Sequence, residues 1–197
     1  HQGKIAAYAL LPDYHQVLKD AAELLAERIA QLTDQPIKHL VCADTAPILE
    51  KDYAQQAGLG WIARNSCLTA REVGSWLFLC EILTDLPLSP GKPTTNSDCA
   101  DCRRCLMACP TKAILPNRTI DARRCLSYLT IEHRGPIPLE FRPLIGTRLF
   151  GCDTCQTICP SNQRRSAGSP LFAGAAALNP HPPFPADDGN SAQRERG

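Results

Sequence analysis

Apolar residues recur every three to four positions through 15–32, H-Q-V-L-K-D-A-A-E-L-L-A-E-R-I-A-Q-L. Leu18, Ala22, Leu25, Ile29 and Leu32 fall on one face with charges between them, which predicts an amphipathic helix. Ahead of it, K-I-A-A-Y-A-L-L reads as a buried strand that ends at Pro12, Asp13, Tyr14 and His15. H-L-V-C-A-D is a second strand-like run, closing on Asp44. Thr45, Pro47 two residues on, I-L-E-K-D-Y-A-Q-Q-A and Gly58 then give the start and stop of a second helix. The apolar run 75–85, S-W-L-F-L-C-E-I-L-T-D, has strand length and is expected at the centre of a sheet. Residues 1–85 therefore predict part of an α/β domain. Residues 86–98, rich in proline and small polar residues, read as a linker, and 163–197, rich in Gly and Pro, as a disordered tail.

Residues 99–162 follow a different rule. They contain C-A-D-C-R-R-C-L-M-A-C-P, then Cys125, then C-D-T-C-Q-T-I-C-P. The first run is C-x2-C-x2-C-x3-C-P, the bacterial ferredoxin spacing for a 4Fe-4S cluster, whose fourth cysteine serves the other cluster of a pair. The second run repeats C-x2-C-x3-C-P, but Leu149 stands where its first cysteine would be, and Cys125 is the available replacement. Crossed sharing gives Cys99, Cys102, Cys105 and Cys159 to one cluster, and Cys109, Cys125, Cys152 and Cys155 to the other. Zinc fits less well, because it usually takes two C-x2-C knuckles and no third cysteine three residues on. Cys42, Cys67 and Cys80 lie outside these spacings and read as core thiols.

Composition narrows the setting. Of 197 residues 44% are hydrophobic, yet no apolar run approaches the ~20 residues of a membrane span. No signal peptide precedes the thiols, so a reducing cytoplasm is expected. The chain opens at His1 and runs directly into apolar sequence, which reads as a first domain that has lost its beginning. Net charge is +1, but residues 99–165 carry eleven Arg or Lys against five Asp or Glu. That surplus suits either neutralisation of two anionic clusters or a polyanion-binding face. Asp13 can be a helix cap and His15 a first-turn residue. Asp44 stands where a strand hands over to a helix, an edge that favours ligand contacts but also one where a carboxylate simply stabilises a helix N-terminus.

The stretches A-D-T-A-P-I-L-E, A-G-L-G-W-I-A-R-N-S, G-S-W-L-F-L-C-E-I-L-T-D, C-L-S-Y-L-T-I-E and G-P-I-P-L-E-F-R-P-L-I-G-T-R-L-F-G-C-D-T-C-Q, spaced around the cysteines, closely resemble the epoxyqueuosine reductase family. The resemblance covers roughly residues 3–162. It implies an α+β chain, with a nitroreductase-like α/β domain holding cobalamin followed by a ferredoxin-like domain with two 4Fe-4S clusters. The implied reaction reduces epoxyqueuosine to queuosine in the anticodon loop of tRNA, with an external low-potential electron donor and a monomeric enzyme. By the same resemblance Asp44 is the proton donor, which would need a desolvated carboxyl with a raised pKa. Asp13, Tyr14 and His15 lie near the cobalt, and Leu68, Leu79, Ser127 and Asp153 are cobalamin contacts. Arg134 is a tRNA contact, its guanidinium suited to phosphate. This chain departs from the family's usual pattern at Ala46, Ala63, Arg64 and Cys80. Two other functions share parts of this pattern: a cobalamin-dependent reductive dehalogenase, and a ferredoxin-type electron carrier with no substrate of its own.

Overall fold

The computed structural model describes residues 3–33 and 36–163. β1 (Lys4–Ile5) is short and its residues are exposed, and Ala7–Leu10 close into a 3-10 turn. The buried strand expected over residues 4–11 is thus not formed. What is buried there is Ala6 and Ala7, and Ala6 sits against Gly151, whose φ of +72° and missing Cβ leave room for its methyl.

α1 (Tyr14–Thr33) forms where the apolar spacing places it. Asp13 caps it, its carboxylate accepting the His15 N–H at 3.0 Å. The buried stripe is narrower than the periodicity suggests. Ala22 and Ala26 are buried, whereas Leu25 and Leu32 are 54% and 86% exposed, so the helix approaches its neighbours through small side chains.

β2 (His39–Cys42) precedes Asp44 as expected. α2 (Glu50–Gln56) starts later than Pro47 suggests, because Ile48 turns its N–H back to the Ala46 carbonyl, 2.8 Å away, and delays the helical run. Gly58, at φ +81°, ends it. β3 (Trp61–Ile62) and β4 (Leu68–Thr69) form an antiparallel hairpin. β5 (Glu81–Thr84) pairs antiparallel with β2, from His39 opposite Thr84 to Cys42 opposite Glu81. The central strand expected over 75–85 is corrected here. Of this run the strand takes in Glu81–Thr84, the sheet has two strands, and Trp76–Leu79 instead wall a cleft. Residues 86–98 carry no helix or strand, and Thr94 anchors the path by donating its N–H to the Gln55 carbonyl.

The cysteine-bearing region is built from short helices: α3 (Arg104–Ala108), α4 (Leu126–Ile131) and α5 (Arg142–Ile145), then β6 (Arg148–Phe150), α6 (Thr154–Thr157) and α7 (Pro160–Gln163). α3 packs on α6, which brings the two cysteine runs together. Cys109, Ala113 and Ile114 form one small core, with Leu106 and Ile120 against it. Leu126, Leu129 and Phe141 form a second.

Several contacts join the halves of the molecule. β6 pairs in parallel with β1, and the β3–β4 loop presses on the cysteine region. There Arg64 donates to the Ala100 carbonyl at 2.6 Å, and Asn65 to the Cys155 carbonyl at 3.3 Å. Nearby, buried Asn162 accepts the Ser75 N–H at 2.6 Å and donates to the Gln156 carbonyl at 2.7 Å. The chain is a mixed helix and strand fold. Among the described residues no helix is long and apolar enough to cross a membrane. The tail expected over 163–197 lies, apart from Gln163, outside the described residues.

Candidate iron-sulfur and active site

The eight cysteines of the two predicted sets fall in the region where α3 meets α6, and all carry free thiols. Cys105, Cys109, Cys125 and Cys155 share one core. A small cavity there is lined by Cys109, Cys125, Cys152 and Cys155, the four assigned to one cluster by crossed spacing. Burial pushes the Cys105 thiol up to about 11, and charge on Cys159, Cys99 and Cys102 adds to the effect. Those four are the other predicted set. Cys155 is raised well above an ordinary thiol by burial first and then by Cys67, Cys152, Cys125 and Cys105.

Such mutual repulsion is what a cationic iron core removes, because each thiolate then faces iron. Cys109 shows the complementary feature. Burial raises its pKa, but the N–H groups of Ala113, Thr111 and Ile114 and the Thr111 hydroxyl outweigh burial and hold it below the usual thiol range. The Ala113 N–H lies 3.3 Å from its sulfur, and such bonds set cluster potentials. Among the described residues no three His, Cys, Asp or Glu converge on a point that would hold a single metal ion. A cubane asks for thiolates on separate irons around a common centre. The donor set, all sulfur and shielded on the inside, fits that group.

Beside this region opens a cleft of about 340 Å³. One wall is Leu68, Trp76, Phe78 and Leu79, and the cysteine region contributes Asp153 and Gln156. Tyr8, Tyr14, Asp44 and Glu50 supply its polar edge. Tyr14 donates its hydroxyl to Asp44 Oδ2 at 2.7 Å. Its ring stacks on Phe78, centroids 4.3 Å apart and 10° between planes, and on His15 at 4.0 Å. His15 bridges two carboxylates, with Nδ1 2.8 Å from Asp13 Oδ1 and Nε2 3.3 Å from Asp44 Oδ2. The bond to Asp13 raises the His15 pKa above that of an ordinary histidine, Asp44 adding to it, and the same bond lowers Asp13. Burial, then the bond to Asp44, raises the Tyr14 phenol. It stays protonated and donates.

Asp13 therefore serves both roles open to it in the sequence, capping α1 and orienting His15. The Asp44 carboxylate meets Tyr14 and His15 of α1, and its link to α2 runs through its own backbone N–H, 2.8 Å from Glu50 Oε1. The desolvation expected of Asp44 is not supplied by this chain alone, since its side chain is 58% exposed. Leu68, Leu79 and Asp153, which the resemblance gives as cobalamin contacts, line the cleft, and Asp153 also accepts the Ala7 N–H at 2.7 Å. Ser127 sits on α4 and is not among the residues lining this cleft. Arg134 is exposed in the turn after α4. Sequence reasoning missed Glu50, Phe78 and Tyr8. Glu50 carries no pattern of its own within the run I-L-E-K-D-Y-A-Q-Q-A, and the two aromatics lie inside apolar runs.

Comparison with known proteins follows this division. The family model described as a 4Fe-4S double cluster binding domain matches residues 98–162, and the model described as Epoxyqueuosine reductase QueG, DUF1730 matches residues 1–45. The chain is 49% identical over 166 residues to epoxyqueuosine reductase of Xanthomonas campestris, covering 83% of this chain and 46% of that protein. A crystal structure of epoxyqueuosine reductase with an epoxyqueuosine-modified tRNA stem loop superposes with a TM-score of 0.72 at 39% identity, over 80% of this chain and 41% of that one. The Bacillus subtilis enzyme, solved with its catalytic aspartate loop swung out of the active site, gives 0.71 at 36%, over 87% and 41%.

Fold, cysteines and family model define an iron-sulfur protein of the double-cluster class. Within that class the chain is a relative of the epoxyqueuosine reductases, and it spans less than half the length of those it matches.

Proposed function

We propose that this chain acts in the reduction of epoxyqueuosine to queuosine in the tRNA anticodon loop, as an oxidoreductase of the cytoplasm working as a monomer. In this reading Cys99, Cys102, Cys105 and Cys159 hold one 4Fe-4S cluster, and Cys109, Cys125, Cys152 and Cys155 the other. The first part, a portion of a nitroreductase-like domain, holds cobalamin against the apolar wall of Leu68, Trp76, Phe78 and Leu79. When bound, cobalamin supplies low-valent cobalt as the source of electrons, replenished through the clusters by an external low-potential donor.

The observation that carries the reading is that one cleft is shared by Asp44 with its Tyr14 and His15 partners and by Asp153 and Gln156 of the cysteine region. Electron supply and proton supply meet there. Removing the epoxide oxygen as water takes two electrons and two protons, and Asp44 protonates that oxygen as the C–O bond breaks. Tyr14 and His15 hold the Asp44 carboxylate at the cleft edge, and His15, kept cationic to higher pH by Asp13, replaces its proton. Asp44 would hold cofactor and substrate at its exposed side, and their binding there would supply the desolvation its acid role requires. Arg134 faces solvent and pairs with a tRNA phosphate. Relatives solved with an epoxyqueuosine-modified tRNA stem loop, and with a catalytic aspartate loop swung out of the active site, support the same assignment.

The test is anaerobic. Protein reconstituted with iron, sulfide and cobalamin is incubated with epoxyqueuosine-containing tRNA and a low-potential reductant, and the nucleoside is weighed by mass spectrometry. Loss of one oxygen is expected, and Asp44→Asn should keep its clusters and lose turnover. Undiminished turnover in Asp44→Asn contradicts the role of Asp44.

A further inference from the structure

Asp44 is held in an unfavourable backbone conformation. Its φ of +58° lies in the left-handed region, which disfavours a residue with a Cβ and persists where surrounding contacts impose it. The segment around it is irregular. Thr45 turns its N–H to the Ala43 carbonyl at 2.6 Å, and Ile48 to that of Ala46 at 2.8 Å; both are tight local turns that do not tie the loop to the body of the protein. The Asp44 carboxylate is held from α1 by Tyr14 and His15. Its backbone is held from elsewhere, by Glu50 Oε1 accepting the Asp44 N–H at 2.8 Å.

Glu50 is well placed for this, being the first residue of α2, a helix fixed at several points. Ala54 is buried, the Gln55 side chain accepts the Ile62 N–H at 3.0 Å, and Lys51 donates to the Ser66 carbonyl at 3.0 Å. Glu50 also borders the cleft, and its charge is felt by Tyr14 and Glu81.

We infer that Glu50 is a positioning residue that latches the Asp44 loop, passing the fixed position of α2 to the Asp44 backbone so that the carboxyl stays at the cleft edge. The inference rests on Asp44 as the acid of the proposed reaction. A hydrogen bond to a charged acceptor is worth about a factor of ten or more, and a loop shift of ~1 Å at a reacting group can cost as much or more in rate.

The test uses the reconstituted full chain and two variants, with amide hydrogen exchange and turnover read separately. In Glu50→Ala the Asp44 amide should exchange about tenfold faster and turnover should fall about tenfold, while iron content and protection across Tyr53–Ala57 stay unchanged. Glu50→Gln keeps an acceptor oxygen without its charge and should restore both in part. Unchanged exchange at Asp44 in Glu50→Ala overturns the latch, as does equal loss in the Ala and Gln variants. Full turnover in Asp44→Asn would instead overturn the acid role of Asp44, and the exchange result would still decide the latch.

Discussion

His15 illustrates how much one side chain depends on its neighbours. Asp13 accepts from both its backbone and its ring, so the imidazole keeps its proton to higher pH than a histidine in water. A raised pKa means that the cation's contribution to the network is complete below the ordinary histidine value of about 6.5 and is lost as pH rises through the higher, folded-state value. If the cation refills Asp44, turnover falls on the alkaline side of its optimum. Asp13→Asn should move that limb to lower pH, measured as a pH profile of turnover beside an NMR titration of the His15 ring; a limb that stays in place contradicts the proton relay.

Tyr14→Phe separates two other roles. The ring stack on Phe78 should survive while the donor to Asp44 is lost, so clusters remain and turnover drops about tenfold, the scale of one charge-assisted hydrogen bond. Asp13, Tyr14 and His15 were singled out in the sequence by the family resemblance, since their own pattern reads equally as the cap and first turn of a helix. Glu50 and Phe78 were not, since their part in the site comes from a turn at Asp44 and from an unpaired stretch before β5, neither of which has a residue pattern of its own.

At the scale of elements, the junction between the halves includes a buried polar knot at Asn162. Asn162 is 4% exposed and bonds to Ser75 and to the Gln156 carbonyl. Asn162→Ala leaves buried partners without a mate and should cost about 1–3 kcal/mol, read from denaturant unfolding of the reconstituted protein. Gly74 has φ +70° and faces Asn162 so closely that a Cβ would overlap its Oδ1. Gly74→Ala should therefore destabilise through both strain and overlap, and an unaffected midpoint in either variant contradicts this view of the junction.

Periodicity located α1 because an amphipathic stripe of twenty residues carries its own signal. It misjudged 75–85 because an apolar run does not distinguish a sheet strand from a cleft wall. It passed over β3 and β4, which are two residues each and are fixed by contacts with the cysteine region.

On the scale of the whole molecule, cysteine spacing predicted what chain folding then has to deliver. Residues as far apart as Cys99 and Cys159 must converge, and the chain brings the two runs together because α3 packs on α6 and Cys125 enters at the start of α4. That arrangement could be anticipated because cubane ligation imposes its own spacing, independent of propensity. The cleft beside it could not, since its lining comes together only once β1 pairs with β6 and the β3–β4 loop meets Cys155. Cys125→Ala should lose about four of about eight irons, whereas Cys42→Ala and Cys80→Ala, which change thiols on or beside the β2–β5 ribbon, should keep all of them.

Metal and sulfide analysis of the anaerobically reconstituted chain addresses the central claim most directly. The account predicts about eight irons and eight sulfides per polypeptide, as two cubanes require. About one zinc per chain with negligible iron would contradict it, and would leave the cleft beside Asp44 without a supply of electrons.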